Sequence, residues 1–485
     1  MLILAIDLGT TGNRAVVVDQ DLRVVSRAYE EFSQYFPRPG WVEHDPEEIW
    51  ETARRTIREA ISRVDAEKIG AVGVTNQRET VVCWDPESGR PLHRAIVWQD
   101  RRTSERCVQL ERNGLGKAIQ HRTGLRLDPY FSGTKIEWLL RNVPDTADGV
   151  FGTVDSWILW KLTGGRLHAT DPSNASRTML YNLGERRWDP ELMQLFGVKR
   201  EALPQVRPSS GDFGEIDPEL FGFSAPVCGV AGDQQASMFA QGCYEPGIVK
   251  NTYGTGLFLL TNCGSEPRMA RNLVCSVAWE LDGQTEYALE GSVFVGGAAL
   301  QWLRDGLHLI EDPADSESMA DELNSNSDVY FVPALSGLGA PRWDPEARGM
   351  IIGLTRGTRR EHVVRAALEA NAYQTRDVIE AMDAELEPPV EKLQADGGAC
   401  ANDWLMQFQA DLLGVPVERS AVLDTTAMGA AGLAGLHVGA WRGRDKFVAC
   451  RKVDRIFEPQ ISPEERDRLH ARWQEAVERA RNWAK

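Results

Sequence analysis

The sequence lacks the features of a membrane-inserted, secreted or nucleic-acid-binding protein. No stretch approaches the ~18 apolar residues of a membrane-spanning helix. The apolar run at the N-terminus is short, reaches an acidic residue at Asp7 and carries no basic leader, so we expect no signal peptide. Acidic residues outnumber basic ones, 71 to 54, for a net charge of −17. Bulk charge therefore disfavours binding to nucleic acid or to an anionic membrane.

Cysteine pairs of the C-x-x-C type are also missing. The eight cysteines are scattered, and several lie in apolar runs. This pattern predicts buried thiols in a reducing compartment, without a disulfide framework or a zinc site. Together with the missing membrane and secretion signals, it predicts a cytoplasmic protein.

The length of the chain exceeds what one hydrophobic core ordinarily holds. With 485 residues, 42% hydrophobic and 26% charged, the composition is that of a globular protein. Two or three domains are expected.

One acidic residue follows a predicted buried strand near the middle of the chain. The apolar run 227–231 is followed by Gly232 and Asp233, and then by a short amphipathic segment, 234–241. Asp233 is therefore expected at the carboxyl end of a strand, where open α/β sheets bind ligands. The alternative is an ordinary helix N-cap, because a carboxylate there accepts an otherwise unpaired N–H group.

Two glycine- and threonine-containing hairpins form a weak internal repeat. One spans residues 2–19 and the other 248–262, with turns at 7–14 and 253–256. Threonine hydroxyls and backbone N–H groups in such turns can bind phosphate oxygens. Asp7 beside the first turn is suited to hold Mg²⁺ through water. A plain hairpin turn is the alternative for each.

Two further polar clusters also follow predicted strands. The run 76–80 contains Arg78 and Glu79, which can donate to one hydroxyl of a polyol and accept from two others; a salt-bridged surface loop is the alternative. The run 396–402 contains glycines that let a purine and a ribose lie against the backbone. Its alternative is a strand-to-helix turn with Asn402 as the N-cap.

Taken together, the motifs resemble the FGGY family of carbohydrate kinases, and in particular its members that phosphorylate glycerol. The resemblance covers nearly the whole chain, from Leu2 to about Lys485. The matching motifs are P-G-W-V-E-H-D-P at 39–46, N-Q-R-E-T at 76–80, I-V-W-Q-D-R-R at 96–102, D-P-Y-F-S-G-T-K at 128–135, G-D-Q-Q at 232–235, N-T-Y-G-T-G at 251–256, Q-W-L-R-D at 301–305, G-L-T-R-G at 353–357 and D-G-G-A-C-A-N at 396–402.

The resemblance implies an α/β protein with the two-lobed actin-like ATPase (ribonuclease H-like) fold, in which each lobe is a mixed sheet flanked by helices. It implies an N-terminal lobe, 1–242, with the substrate site, the first phosphate hairpin and the catalytic base. It implies a C-terminal lobe, 243–485, with the nucleotide site and the second phosphate hairpin. The implied reaction is phosphorylation of glycerol by ATP with Mg²⁺, giving sn-glycerol 3-phosphate and ADP.

The resemblance also implies roles for individual residues. Asp233 is the implied general base, and Asp7 (through water) and Asp233 are the implied Mg²⁺ ligands. The implied glycerol-binding residues are Arg78, Glu79, Trp98, Tyr130, Asp233, Gln234 and Phe258, with Trp98 and Phe258 packing on the carbon chain. The implied nucleotide-binding residues are Thr10, Thr11, Gly12, Arg14, Thr255, Gly297, Gln301, Gly398 and Asn402.

The first phosphate turn departs from the common D-Q-G-T-T-S form of the family. Leu8 replaces glutamine, and Gly12 replaces a serine whose hydroxyl would contact the γ-phosphate. Leu8 also occurs in pentulose kinases of the family, so another polyol or a pentulose is an alternative substrate.

The segment 202–226 is expected to loop over the surface. Its part 211–226 has neither a Gly-Gly-x-Gly-Gly-x-Arg run nor a histidine. We therefore expect neither inhibition by a sugar bisphosphate nor control by histidine phosphorylation there.

A non-enzymatic alternative is an actin-like scaffold that uses ATP only as a switch, because this fold hosts such proteins. The expected partners are the small molecules glycerol and ATP, and the resemblance implies a homodimer or homotetramer.

Overall fold

The chain folds into two lobes, each built on one large mixed β-sheet. The computed structural model describes residues 1–422 and 424–484. Its strands are β1 Leu2–Leu8, β2 Gly12–Val18, β3 Val24–Glu31, β4 Glu43–His44, β5 Ile69–Asn76, β6 Val82–Trp84, β7 Ala95–Ile96, β8 Val150–Gly152, β9 Ala169–Thr170, β10 Tyr181–Asn182, β11 Arg187–Trp188, β12 Gln205–Val206, β13 Val227–Gly232, β14 Ile248–Tyr253, β15 Leu257–Gly264, β16 Val274–Leu281, β17 Gln284–Val293, β18 Tyr330–Val332, β19 Met350–Ile352, β20 Lys392–Asp396, β21 Val417–Ser420 and β22 Val453–Phe457.

The helices surround and separate these sheets. They are α1 Pro46–Ile61, α2 Ser104–Arg112, α3 Gly116–Thr123, α4 Ser132–Asn142, α5 Val154–Leu162, α6 Pro172–Ala175, α7 Pro190–Phe196, α8 Pro218–Phe221, α9 Asp233–Ala240, α10 Ala298–Asp305, α11 Asp315–Asp321, α12 Arg360–Asp383, α13 Asp403–Leu413, α14 Thr425–His437, α15 Arg444–Val448 and α16 Pro463–Ala480.

The two large sheets share a topology. The first has the strand order β13-β5-β1-β2-β3, and the second has β16-β17-β15-β14-β20-β21-β22. In each sheet a hairpin, β1–β2 or β14–β15, is antiparallel, and its first strand also pairs in parallel with the next strand, β5 or β20. The repeated strand–turn–strand unit expected from the sequence is therefore confirmed, and the repeat extends to five strands of each sheet.

Two helices lie between the sheets, and both are rich in small residues. Helix α14 packs on α9 and on strands β5, β13 and β1 of the first sheet. A β-carbon added to Gly73 would lie 2.2 Å from the carbonyl oxygen of Ala430. One added to Gly429 would lie 1.8 Å from the carbonyl oxygen of Ala236. The small residues of segment 425–438 favour a tightly packed helix, and these close backbone approaches show that packing.

Two local expectations differ from the structure. The sequence 293–303 predicts a helix from Val293, but residues 284–293 form strand β17, and the next helix begins at Ala298. The predicted helix is present but starts later than predicted, because a continuous apolar run does not by itself show where a buried strand ends and a helix begins. Segment 202–226 is not simply a surface loop, since Phe213 and Ile216 are fully buried in the core of the first lobe.

Helix length and the burial of the cysteines can be compared with the sequence expectations. Among the described residues, none of the helices has the length and apolar character needed to cross a bilayer. All eight cysteines are free thiols, with seven buried and Cys450 half-buried.

We predict that Gly429→Ala destabilises the chain. Alanine favours a helix interior by about 1 kcal/mol, but here its methyl group would overlap the Ala236 carbonyl. The net loss in the free energy of unfolding is expected to be about 1–3 kcal/mol, measured by urea denaturation. Gly357→Ala is the control, because its nearest neighbour, Thr355, would be 3.8 Å from the new β-carbon. Equal stability of the two variants would contradict the packing argument.

Candidate active site

The predicted acidic and basic site residues gather at one edge of the first sheet. Strands β13, β5 and β1 are adjacent and parallel. Thr75 of β5 lies opposite both Asp7 and Ala231, so Asp7 and Asp233 emerge on either side of the residues that follow β5. Carboxyl ends of parallel strands commonly form ligand sites.

Asp233 is the first residue of α9, and Gly232 occupies the N-cap position. The Asp233 Oδ1 atom accepts from the Gln234 amide at 2.7 Å and lies 3.2 Å from Arg78 Nε. The side chain is 27% exposed. Asp233 is therefore not the N-cap residue itself, although its carboxylate accepts from a first-turn amide of the helix. The carboxylate is also accessible beside a buried guanidinium.

A buried ion cluster of four residues, Arg78, Glu79, Arg177 and Glu290, lies directly behind Asp233. Arg78 makes a bidentate contact with Glu290, with Nη–Oε distances of 2.5 and 3.0 Å. Arg177 donates from Nε to Glu79 at 2.5 Å and from Nη2 to Glu290 at 3.2 Å. Each of the four is at most 3% exposed. Because Glu290 belongs to the second lobe, the ion cluster joins the two lobes.

The charges of the ion cluster shift one another's pKa values. Burial opposes ionisation of Glu290, but Arg177 and Arg78 outweigh it and lower the pKa of this carboxyl to about 2. Burial raises the pKa of Glu79, against the effects of Arg177 and Arg78. Glu79 also has a left-handed backbone with φ of 61°, a conformation that is costly for a residue with a side chain and is concentrated at functional sites.

The segment 171–177 holds the strand ends in place. The Ser173 hydroxyl accepts from the Gly232 amide at 2.9 Å, immediately before Asp233. Asn174 exchanges side-chain hydrogen bonds with Asn76 at 3.0 and 3.1 Å. The small polar residues of this segment therefore fix the residues that precede Asp233 and Arg78.

Three predicted aromatic residues lie together in front of these charges. The rings of Trp98 and Tyr130 are 5.6 Å apart, and those of Trp98 and Phe258 are 6.1 Å apart, both edge to face. Trp98 Nε1 donates to the Thr10 hydroxyl at 3.0 Å. Since Phe258 lies on β15, the aromatic pair Trp98–Phe258 spans the two lobes.

The first hairpin brings Thr10, Thr11, Gly12 and Arg14 to the same edge. Arg14 Nη1 pairs with Asp424 at 2.7 Å and lies 3.9 Å from Asp7. Gly12 lies in β2, where an added β-carbon would be 2.6 Å from the Glu30 carbonyl oxygen. The close approach of β3 therefore leaves little room for a side chain at this position.

The second hairpin contacts the start of α10. The Thr255 carbonyl accepts from the amides of Gly296 and Ala298, and Gly297 donates to the Gly254 carbonyl at 2.9 Å. Gln301 is exposed on the first turn of α10. The hairpin and two predicted nucleotide residues, Gly297 and Gln301, thus form one surface.

The remaining predicted nucleotide residues lie after β20. Gly398 is exposed, and an added β-carbon would meet no atom within 4 Å among the described residues. Asn402 is the N-cap of α13, where its side chain accepts from the Leu405 amide at 2.8 Å, and its Nδ2 donates to Ser316 at 3.4 Å. The capping role that the sequence left open is therefore what the structure shows for Asn402.

The carboxylates at this edge suit a divalent cation that keeps part of its water shell. Burial raises the pKa of Asp7 to about 6; Arg14 and a hydrogen bond from Thr426 oppose this, while Asp233 and Asp424 add to it. No group of three or more His, Cys, Asp or Glu side chains in the described part of the chain could enclose a metal. Mg²⁺ needs only one or two carboxylates with water and phosphate oxygens, so Asp7 and Asp233 fit it.

Two residues of the ion cluster, Arg177 and Glu290, were missed in the sequence. Glu290 is a single acid in a long apolar run that was assigned before a helix, and Arg177 lies among small polar residues. A charge inside an apolar strand demands a buried partner. That signal was present, but no local pattern identifies which arginine supplies the partner.

Comparisons with known proteins agree with this architecture. The model of the FGGY family of carbohydrate kinases, N-terminal domain, matches residues 2–240, and that of the FGGY family of carbohydrate kinases, C-terminal domain, matches residues 249–438. The chain therefore belongs to the FGGY family of carbohydrate kinases.

Relatives in this family are similar over their full length. "Glycerol kinase" of Carboxydothermus hydrogenoformans is 54% identical, with 99% of this chain and 98% of that protein covered. "Glycerol kinase 2" of Thermotoga maritima is 52% identical, with 100% and 99% covered. The crystal structure of Plasmodium falciparum glycerol kinase with ADP superposes with a TM-score of 0.92 at 34% identity, covering 99% and 98% of the two chains. The expected two-lobed kinase fold is confirmed.

We predict that Glu290→Gln lowers the free energy of unfolding more than Glu286→Gln, a change on the same strand, β17. The variant leaves Arg78 and Arg177 buried with one carboxylate fewer, so a loss of about 3–5 kcal/mol is expected in urea unfolding. Glu286→Gln removes a less buried pair with Arg444 and should cost about 1 kcal/mol or less. Indistinguishable unfolding midpoints for the two variants would show that the ion cluster does not stabilise the lobes.

We predict that Asp7→Asn stabilises the ligand-free chain at neutral pH. The folded state raises the pKa of Asp7 from 3.8 to about 6, so it favours the protonated form. The stability from this group is complete below pH 3.8 and is lost as the pH rises through about 6. The variant should gain about 1–3 kcal/mol at pH 7.5 and little at pH 4, by urea denaturation without nucleotide. Asp21→Asn, at an exposed carboxylate, should change neither value, and a loss of stability in Asp7→Asn at pH 7.5 would refute the prediction.

Proposed function

We propose that this chain phosphorylates glycerol with ATP, releasing sn-glycerol 3-phosphate and ADP. The accessible carboxylate of Asp233 beside Arg78, with the aromatic pair Trp98–Phe258 in front of it, carries this proposal. Support also comes from full-length relatives at 52–54% identity that are named glycerol kinase.

In the proposed mechanism Asp233 is the general base. Its Oδ1 atom is engaged by Arg78 and by the Gln234 amide, so Oδ2 takes the proton of the terminal hydroxyl. The hydroxyl oxygen then bonds to the γ-phosphorus as the bond to ADP breaks. A positioned base of this kind contributes typically ~10²–10⁴ to the rate, and the lobes exclude water so that ATP is not hydrolysed instead.

Glycerol is proposed to bind between the ion cluster and the aromatic rings. Arg78, Glu79, Tyr130 and Gln234 would bind its hydroxyls, while Trp98 and Phe258 pack on its carbons. The alternative of a pentulose substrate depended on Leu8. That side chain is fully buried in the hydrophobic core of the first lobe, so it gives the alternative no support.

The nucleotide is proposed to bind across both hairpins. Thr10, Thr11, Gly12, Arg14 and Thr255 would contact phosphates, and Gly297, Gln301, Gly398 and Asn402 would contact the nucleoside. Asp7 and Asp233 would hold Mg²⁺, which when bound neutralises charge on the transferred phosphoryl group. Arg14 would leave Asp424 to contact phosphate, since the pair is partly exposed.

The proposal divides the work between residues 1–242 and residues 243–485. The first lobe supplies the base and most substrate contacts; the second supplies the nucleoside contacts, Phe258 and Glu290. We further propose a cytoplasmic location, which the free thiols support, and a homodimer or homotetramer, which light scattering would test.

We also propose that the loop 211–226 carries no inhibitory site for a sugar bisphosphate. The loop is held by the core residues Phe213 and Ile216 and lacks the glycine–arginine run. Dose-dependent inhibition by fructose 1,6-bisphosphate would contradict this.

The test is ADP release with MgATP and glycerol, xylulose, ribulose or no polyol. We expect glycerol alone to drive turnover, and Asp233→Asn to lower kcat by ~10²–10⁴ while ATP still binds. Asp212→Asn, an exposed carboxylate of the same lobe, is the control with unchanged kcat. A preference for a pentulose, or a polyol-independent rate that is equal in the wild type and in Asp233→Asn, would overturn the proposal.

A further inference from the structure

Lys250 is a fully buried lysine on β14, three residues before the second phosphate turn. No carboxylate of the described residues lies within 4 Å of its ammonium group. Burying a cation without a direct counter-ion costs stability. Its presence beside the site therefore calls for a functional explanation, and none of the roles assigned above uses it.

The ammonium group of Lys250 connects the two lobes next to the proposed base. It donates to the side-chain oxygen of Gln234 and, at 2.8 Å, to the Thr252 hydroxyl. Lys250 and Thr252 are two residues apart and therefore share one face of β14. Gln234 is the residue directly after Asp233, in the first lobe.

This contact fixes the chemical orientation of the Gln234 amide. An ammonium group can only donate, so the amide oxygen of Gln234 faces Lys250 and its NH₂ group faces the other way. The NH₂ group can only donate as well. Gln234 is therefore presented to a bound molecule as a hydrogen-bond donor and not as an acceptor.

The surrounding charges keep the ammonium group in place. Burial lowers the pKa of Lys250 to about 8, and Asp396 and Asp233 act in the opposite direction. Asp396 lies opposite Thr252 on β20, is 1% exposed, and its Oδ1 has no hydrogen-bond partner among the described residues. The Asp396 carboxylate thus supplies a nearby negative charge, and it forms no ion pair with another cation of the described residues.

We propose that Lys250 is a positioning residue for the phosphoryl transfer: it orients Gln234 from the second lobe so that the Gln234 amide donates to one hydroxyl oxygen of glycerol. This inference rests on the proposed function. It assigns Lys250 a part in selecting the polyol, and no contact with the substrate itself.

The test is steady-state kinetics of wild type, Lys250→Met and Gln234→Leu with glycerol, 1,2-propanediol and 1,3-propanediol. Loss of one hydrogen bond is expected to lower kcat/KM for glycerol about tenfold in both variants, mainly through KM for glycerol, with KM for ATP unchanged. With the diol that lacks the contacted hydroxyl, both variants should match wild type. Lys392→Met, a half-buried lysine on the neighbouring strand β20, is the control with unchanged values.

Other outcomes contradict the inference. Equal losses with glycerol and both diols, or a change confined to KM for ATP, would show that Lys250 does not act through a hydroxyl contact of Gln234. If Lys250→Met does not fold, as judged by circular dichroism, Gln234→Leu decides: a loss independent of the diol overturns the inference, and a loss specific to one diol supports it. Wild-type enzyme that releases no ADP with glycerol would overturn both this inference and the proposed function.

Discussion

The buried ion cluster of Arg78, Glu79, Arg177 and Glu290 is the constraint on which the site depends. Four charges removed from water must satisfy one another, because breaking one buried pair leaves an uncompensated charge. Arg78 and Glu79 follow β5, and Arg177 follows α6, all in the first lobe. Glu290 lies on β17 of the second sheet. The ion pairs therefore join the two lobes at this point, and they hold Arg78 beside Asp233.

The helix that begins at Asp233 is held from both sides. Helix α14 packs against it so closely that Gly429 has no room for a side chain. Strands β20 and β16 of the second sheet also contact the helix: Asp396 accepts from Ser237 at 2.6 Å, and Ser276 accepts from Gln235 at 3.2 Å. A base held by rigid elements of both lobes is organised before the substrate arrives, which is how positioning contributes to phosphoryl transfer.

The sequence predicted the parts of this site that have local signals. Apolar runs followed by Asp7, Arg78 and Asp233 predicted strand ends, and two glycine–threonine turns predicted the hairpins. The partners of these residues could not be derived from the sequence: Arg177 in the same lobe, and Glu290 and Lys250 in the second lobe. Their significance depends on which segments meet in three dimensions. After the apolar run that contains Glu290, the sequence predicted a helix from Val293. In the structure, the strand ends at Val293 and the helix begins only at Ala298. Periodicity alone does not separate a buried strand from a helix in such a run.

The most direct test of this account is a double-mutant cycle on kcat/KM for glycerol with Glu290→Gln and Asp233→Asn. If Glu290 acts by holding Arg78 against Asp233, the effects are not additive, and the double variant is no slower than Asp233→Asn alone. Fully additive losses would mean that Glu290 and Asp233 act independently, and that the ion cluster stabilises the lobes without organising the base.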